Sequence, residues 1–110
     1  MSQTLEQLES HCKAALGDTV RAAHITHGEL TLDVECDKIV EVLKFLRDDA
    51  SCRFEVLIDI CGVDWPAREK RFDVVYHLLS PRLNQRIRVK LETDEATPVP
   101  STVGVFSASN

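Results

Sequence analysis

The sequence predicts an α+β fold of two layers, with helices on one face of a mostly antiparallel sheet. Three observations carry that prediction. Two stretches place apolar residues at helical spacing, Leu5–Leu8–Cys12–Leu16 and Ile39–Val42–Leu43–Leu46. Other stretches alternate apolar and polar residues with the period of a half-buried strand. Their order is helix, strand, strand, helix, strand, strand, strand, which segregates helices from most of the sheet.

The first helix is read from "TLEQLESHCKAALG", with Thr4 or Ser2 as its cap and Gly17 as its stop. "TVRAAHIT-HG-ELTLDV" reads as a hairpin turning at His27-Gly28, with Leu30, Leu32 and Val34 facing inward. "CDKIVEVLKFLRDDA" is the second amphipathic helix, and Asp37 near its start suits the helix dipole. The third strand, "RFEVLIDIC", puts Phe54, Val56, Ile58 and Ile60 on one face. The fourth, "RFDVVYHLLS", does the same with Phe72, Val74, Tyr76 and Leu78. The fifth, "QRIRVKLE", alternates Ile87, Val89 and Leu91 with Arg86, Arg88, Lys90 and Glu92. The expected core is Phe54, Val56, Ile58, Phe72, Val74, Tyr76, Ile87 and Val89, covered by the two helices.

Register between the last two strands is also predictable in part. Pairing Tyr76 with Ile87 sets Asp73 against Lys90. Sliding by two residues would set Asp73 against Glu92, a like-charge pair that destabilises, so the first register is expected. After Glu92 the alternation stops. Residues 1–110 read as one domain, with 93–110 a loop and the start of a C-terminal extension in which Ser101 caps a short helix.

Composition narrows the function. With 44% apolar and 28% charged residues, the chain is an ordinary globular domain. Its net charge of −5 argues against nucleic acid as a partner. Its apolar runs fall far short of a membrane span, and the polar, acidic start "MSQTLEQLES" reads as no secretory signal. Cysteines at 12, 36, 52 and 61 fit neither a CxxC pattern nor zinc-ligand spacing, and read as reduced thiols.

Catalytic chemistry is not expected. The four glycines are scattered, so no phosphate loop forms. Cys61 beside His77 lacks an orienting third group. Asp59 and Asp73 are expected to pair with Arg88 and Lys90. His24 and His27 read as exposed turn residues rather than ligands. The catalytic, cofactor and metal sets are therefore each expected to be none.

What remains is a surface. Gly62 to Arg71 form a ten-residue loop, where a hairpin needs about two to five. It contains Trp65-Pro66 amid "REKR", and Trp and Arg concentrate at interface hot spots. The outer sheet face is expected to expose Leu57, Val75 and Leu79 with no helix left to cover them. Leu57, Asp64, Trp65, Arg68, Val75, Leu79, Arg86 and Arg88 are thus the candidate partner contacts.

The string "LIDICGVDWPAREKRFDVVYHLLS…NQRIRVKL", continued by "TDEATPVPSTVGVFSASN", closely resembles the C subunit of the proton-pumping NADH:quinone oxidoreductase, bacterial complex I. The likeness is dense from about Cys52 to the end and weaker before it. Trp65 stands where tyrosine is common. The family continues past "SASN" into an aromatic and an Arg-flanked acidic stretch, so the chain is expected to be truncated before that signature.

The resemblance implies a component of the peripheral arm, on the cytoplasmic side of the bacterial inner membrane, touching membrane only through the complex. It implies partners among the quinone-module subunits, and it places NAD, FMN, iron–sulfur clusters and quinone in other subunits. Competing readings are a homologous component of a membrane-bound hydrogenase, a thiol- or metal-dependent enzyme, and a stand-alone interaction domain.

Overall fold

The computed structural model describes residues 4–94, 96–100, 102, 105 and 106. Helix α1 runs Leu5–Leu16. Thr4 caps it with a reciprocal pair: its hydroxyl accepts from the Gln7 N–H at 3.1 Å, and the Gln7 side chain accepts from the Thr4 N–H at 3.1 Å. Gly17 ends it at φ 56°, in the left-handed region that favours glycine. Strands β1 (Val20–Thr26) and β2 (Glu29–Val34) follow. Their turn holds both His27 and Gly28 at positive φ, 53° and 76°, as a two-residue hairpin matching the strand twist requires. A 3₁₀ turn at Cys36–Lys38 leads into α2 (Ile39–Asp48). Then come β3 (Val56–Asp64), β4 (Phe72–Ser80) and β5 (Gln85–Thr93).

The sheet order is β1-β2-β5-β4-β3. Only β2 and β5 run parallel, because the connection through α2 carries the chain from the middle of the sheet to its far edge. Each hairpin flanks β5, and β1 and β3 are the edges. The core gathers Leu8 and Cys12 from α1, Ile39, Val42, Leu43 and Leu46 from α2, and the inward faces of β2, β4 and β5. Fold class and element order are as the sequence predicts. Val105 and Phe106 also fold back onto this core, with Arg47 Nη1 donating to the Val105 carbonyl at 2.6 Å. Ser2, the alternative cap of α1, and Ser101, expected to cap a final helix, lie outside the described residues.

Three expectations are corrected. First, Tyr76 pairs with Val89 and Val74 with Leu91, which sets Asp73 opposite Glu92 after all. Like charges face each other there because a third residue joins them. Arg68 Nη2 donates to Asp73 Oδ1 at 2.6 Å, and its Nη1 lies 3.7 Å from Glu92 Oε2.

Second, β3 carries a register shift between Leu57 and Asp59. Leu57 stands opposite Leu78 and packs against the core, whereas Asp59 stands opposite His77. Ile58 takes the extra position of a bulge and is 46% exposed, so it is not core. Ile60 does align with the buried Tyr76, yet it is 47% exposed, since the helical layer ends short of this edge. Val56, Phe72 and Val74 are half-buried, and Phe54, Tyr76, Ile87 and Val89 are core as expected.

Third, the ten-residue loop is shorter than the sequence suggests. Gly62, Val63 and Asp64 belong to β3 and pair with Val74, Asp73 and Phe72, which leaves 65–71 as the loop.

Candidate partner surface

The loop is a small built object. The Trp65 N–H donates to the Arg71 carbonyl, and the Arg68 N–H donates to the Trp65 carbonyl at 3.0 Å. At its end, Arg71 grips Asp64 of β3 with two hydrogen bonds of 2.9 Å each. That fork is the geometry a guanidinium makes with a carboxylate. The hydrogen bond from Arg71 holds the Asp64 carboxyl below the usual carboxylate range. Arg71 also lies over the Phe72 ring, 5.1 Å from its centroid.

Trp65 is 48% exposed, and its indole Nε1–H donates to Asp73 Oδ2 at 3.0 Å. Arg68 lies 5.6 Å from the centre of the indole while bonding the other oxygen of Asp73. Asp73, nearly buried, is thus the anchor for both. The tryptophan is neither core nor free: its polar edge is fixed, and much of its apolar ring faces solvent.

Charge on the rest of the outer face is mostly matched within the chain. Arg21 reaches Glu35 and Glu92 at 3.8 Å each, Lys90 reaches Asp33 at 3.8 Å, and Arg88 reaches Glu29 at 3.4 Å. The expected partners of Arg88 and Lys90, Asp59 and Asp73, are engaged elsewhere. Asp59 accepts from the Ile60 N–H at 2.8 Å and from the Cys61 thiol at 3.2 Å. That hydrogen bond pushes the Cys61 thiol up, which disfavours the thiolate a nucleophile needs. His77 faces Asp59 rather than Cys61 across the strand pair. A hollow of about 300 Å³ opens here, lined by Glu29, Ile58, Asp59, His77, Arg86, Ile87 and Arg88.

The eight candidate contacts are therefore spread unevenly. Asp64, Trp65 and Arg68 come together at the loop. Val75 and Leu79 are half-buried on the outer face, opposite Lys90 and Arg86. Arg86 is exposed and Arg88 is paired. Leu57 is on the wrong face and is withdrawn from the set. Sequence reasoning missed Ile58, Ile60 and Val63, which with Trp65 are the large apolar residues exposed by 40–48% among the described residues. A single inserted residue in β3 moved Ile58 outward, and alternation alone carries no sign of such an insertion.

The profile of the family described as respiratory-chain NADH dehydrogenase, 30 kDa subunit, matches residues 32–110. The chain belongs to that family. It is 56% identical over 110 residues to the NADH-quinone oxidoreductase C subunit of Xanthobacter autotrophicus, covering all of this chain and 53% of that protein. It is 57% identical over 110 residues to the corresponding C subunit of Rhizobium leguminosarum bv. trifolii, covering 55% of it. The chain thus spans about half the length of the curated relatives it matches. Among solved structures, a chain of the membrane-bound sulfane sulfur reductase, an archaeal respiratory membrane complex, superposes with a TM-score of 0.79. That likeness covers 96% of this chain and 61% of the other at 22% identity, so it speaks to the fold alone. No helix among the described residues is long and apolar enough to cross a membrane.

Proposed function

We propose that the chain is a non-catalytic part of proton-translocating NADH:quinone oxidoreductase, in its peripheral arm on the cytoplasmic side of the inner membrane. In that role it braces the quinone-reducing module. NAD, FMN, iron–sulfur clusters and quinone are held by neighbouring subunits, and the chain reaches the membrane only through them. The observation that carries this reading is the β3 edge with its loop. Ile58, Ile60, Val63 and Trp65 are exposed beside a face whose charges are largely matched already. Such an edge suits a partner surface better than a reaction centre.

The test is to tag the full-length protein in its native host and purify it from solubilised membranes. NADH:quinone reductase activity should travel with the tag, and the protein alone should oxidise no NADH. A tag that separates cleanly from that activity would overturn the proposal. If hydrogen-dependent activity travelled with it instead, the hydrogenase reading would replace it.

A further inference from the structure

Away from the partner surface, three metal-ligating side chains meet between α1 and the turn that follows α2, with Cys12 as a neighbour. His11 Nε2 lies 2.8 Å from Asp49 Oδ2. The donor atoms of His11, Asp49 and Cys52 all fall within 4.8 Å of one another. Cys12 of α1 neighbours Cys52, and both cysteines are fully buried. The sequence separates these residues into "HC" at 11–12 and "DASC" at 49–52, so no spacing rule finds them.

We propose that His11, Asp49 and Cys52 form a site for one zinc-class divalent ion, closed by the neighbouring Cys12 thiol drawn in as fourth ligand, which pins α1 to the turn after α2. One imidazole nitrogen, one carboxylate oxygen and two sulfurs are the donor types tetrahedral zinc takes. The mix of soft sulfur and borderline nitrogen disfavours magnesium and calcium. With Cys12 drawn in as the fourth ligand no open site is left for water, which gives a structural role.

An outer set of contacts already orients the ligands. Asp49 accepts from the Ser51 N–H at 3.0 Å, and Ser80 Oγ donates to the Cys52 carbonyl at 2.7 Å, tying the turn to β4. Entry is from the His11 side, where the side chains of His11 and Asp49 are 34% and 22% exposed. Binding releases the two thiol protons and leaves the imidazole proton on Nδ1, and no electron moves.

The experiment titrates the reduced full-length protein with Co²⁺, without oxygen. One equivalent should produce a thiolate-to-cobalt charge-transfer band and the visible bands of tetrahedral cobalt, both erased by Zn²⁺. Zinc should also raise the thermal midpoint. His11→Gln, at the partly exposed rim, should weaken cobalt binding by roughly ten- to a hundredfold while keeping the fold. Cys52→Ser should abolish the charge-transfer band, and Cys61→Ser should change nothing. A reduced protein that takes up no cobalt would overturn the proposal, including one in which mild oxidant merely joins Cys12 to Cys52. So would a band that persists in both His11→Gln and Cys52→Ser.

Discussion

The centre of the sheet and its β3 edge are made of the same alternating sequence and come to different outcomes. Around β2 and β5, every inward residue is sealed: Leu30, Leu32, Val34, Ile87, Val89 and Leu91 are fully buried beneath the helices. At β3, Ile58, Ile60 and Val63 belong to an equally apolar strand, yet they stay exposed. Strand propensity is the same in both places. The difference is cover, since a sheet face becomes core only where another layer lies on it. The β3 edge is paired on one side only and its apolar residues stay uncovered, which fits the proposed partner surface.

Truncations separate the two places most strongly. Leu32→Ala, in the sealed half, should cost about 2–5 kcal/mol, read from the urea midpoint. Ile60→Ala should cost less than about 1 kcal/mol by the same measurement, because solvent already reaches the side chain. Equal losses would mean that the β3 edge is covered in solution.

Trp65→Ala should cost the isolated chain only about 1 kcal/mol, the loss of its bond to Asp73 and its contact with Arg68. Its effect on retention by partner subunits in a pull-down should be larger, about 2 kcal/mol or thirtyfold in affinity. A large fall in thermal midpoint with normal retention would make the ring part of the core instead.

Arg68→Ala should lower the urea midpoint, since it leaves Asp73 and Glu92 facing each other without a cation. Glu92→Gln added to that variant should recover part of the loss. An Arg68→Ala variant as stable as the parent would mean the register needs no such bridge.

That bridge also marks what the sequence could and could not disclose. The helices, the His27-Gly28 turn and the inward faces of β2, β4 and β5 follow from local spacing and are legible in it. Register is not. The rule against opposing like charges is sound for two residues, but Arg68 arrives from a loop whose path the sequence does not specify. Leu57 is misplaced for a similar reason, because a bulge puts the residues before it out of phase with those after it without altering composition. The loop position of Trp65 and Arg68 is legible, but their joint hold on Asp73 is not. The cluster of His11, Cys12, Asp49 and Cys52 is invisible for a third reason: it depends on how α1 meets the turn after α2, a long-range fact.

The smallest effect is a titration. Burial pushes the Asp33 carboxyl above the ordinary aspartate range, against the pull of Lys90 and Arg21. With its folded pKa above the unfolded value, the charged form costs stability at neutral pH. That cost disappears as pH falls through the raised folded pKa. Asp33→Asn should therefore stabilise by about 0.5–1 kcal/mol at neutral pH and make no difference in acid. A loss at neutral pH would mean that Lys90, 3.8 Å away, outweighs burial.

Amide hydrogen exchange, compared between the full-length protein alone and in the purified assembly, tests the partner surface most directly. Assembly should slow exchange at the solvent-facing amides of β3 and across loop 65–71. The amides of β2 and β5, already protected by pairing on both sides, should not change. Unaltered exchange at β3 and the loop, with new protection on the outer surfaces of α1 and α2 instead, would contradict the account and move the partner to the helical face.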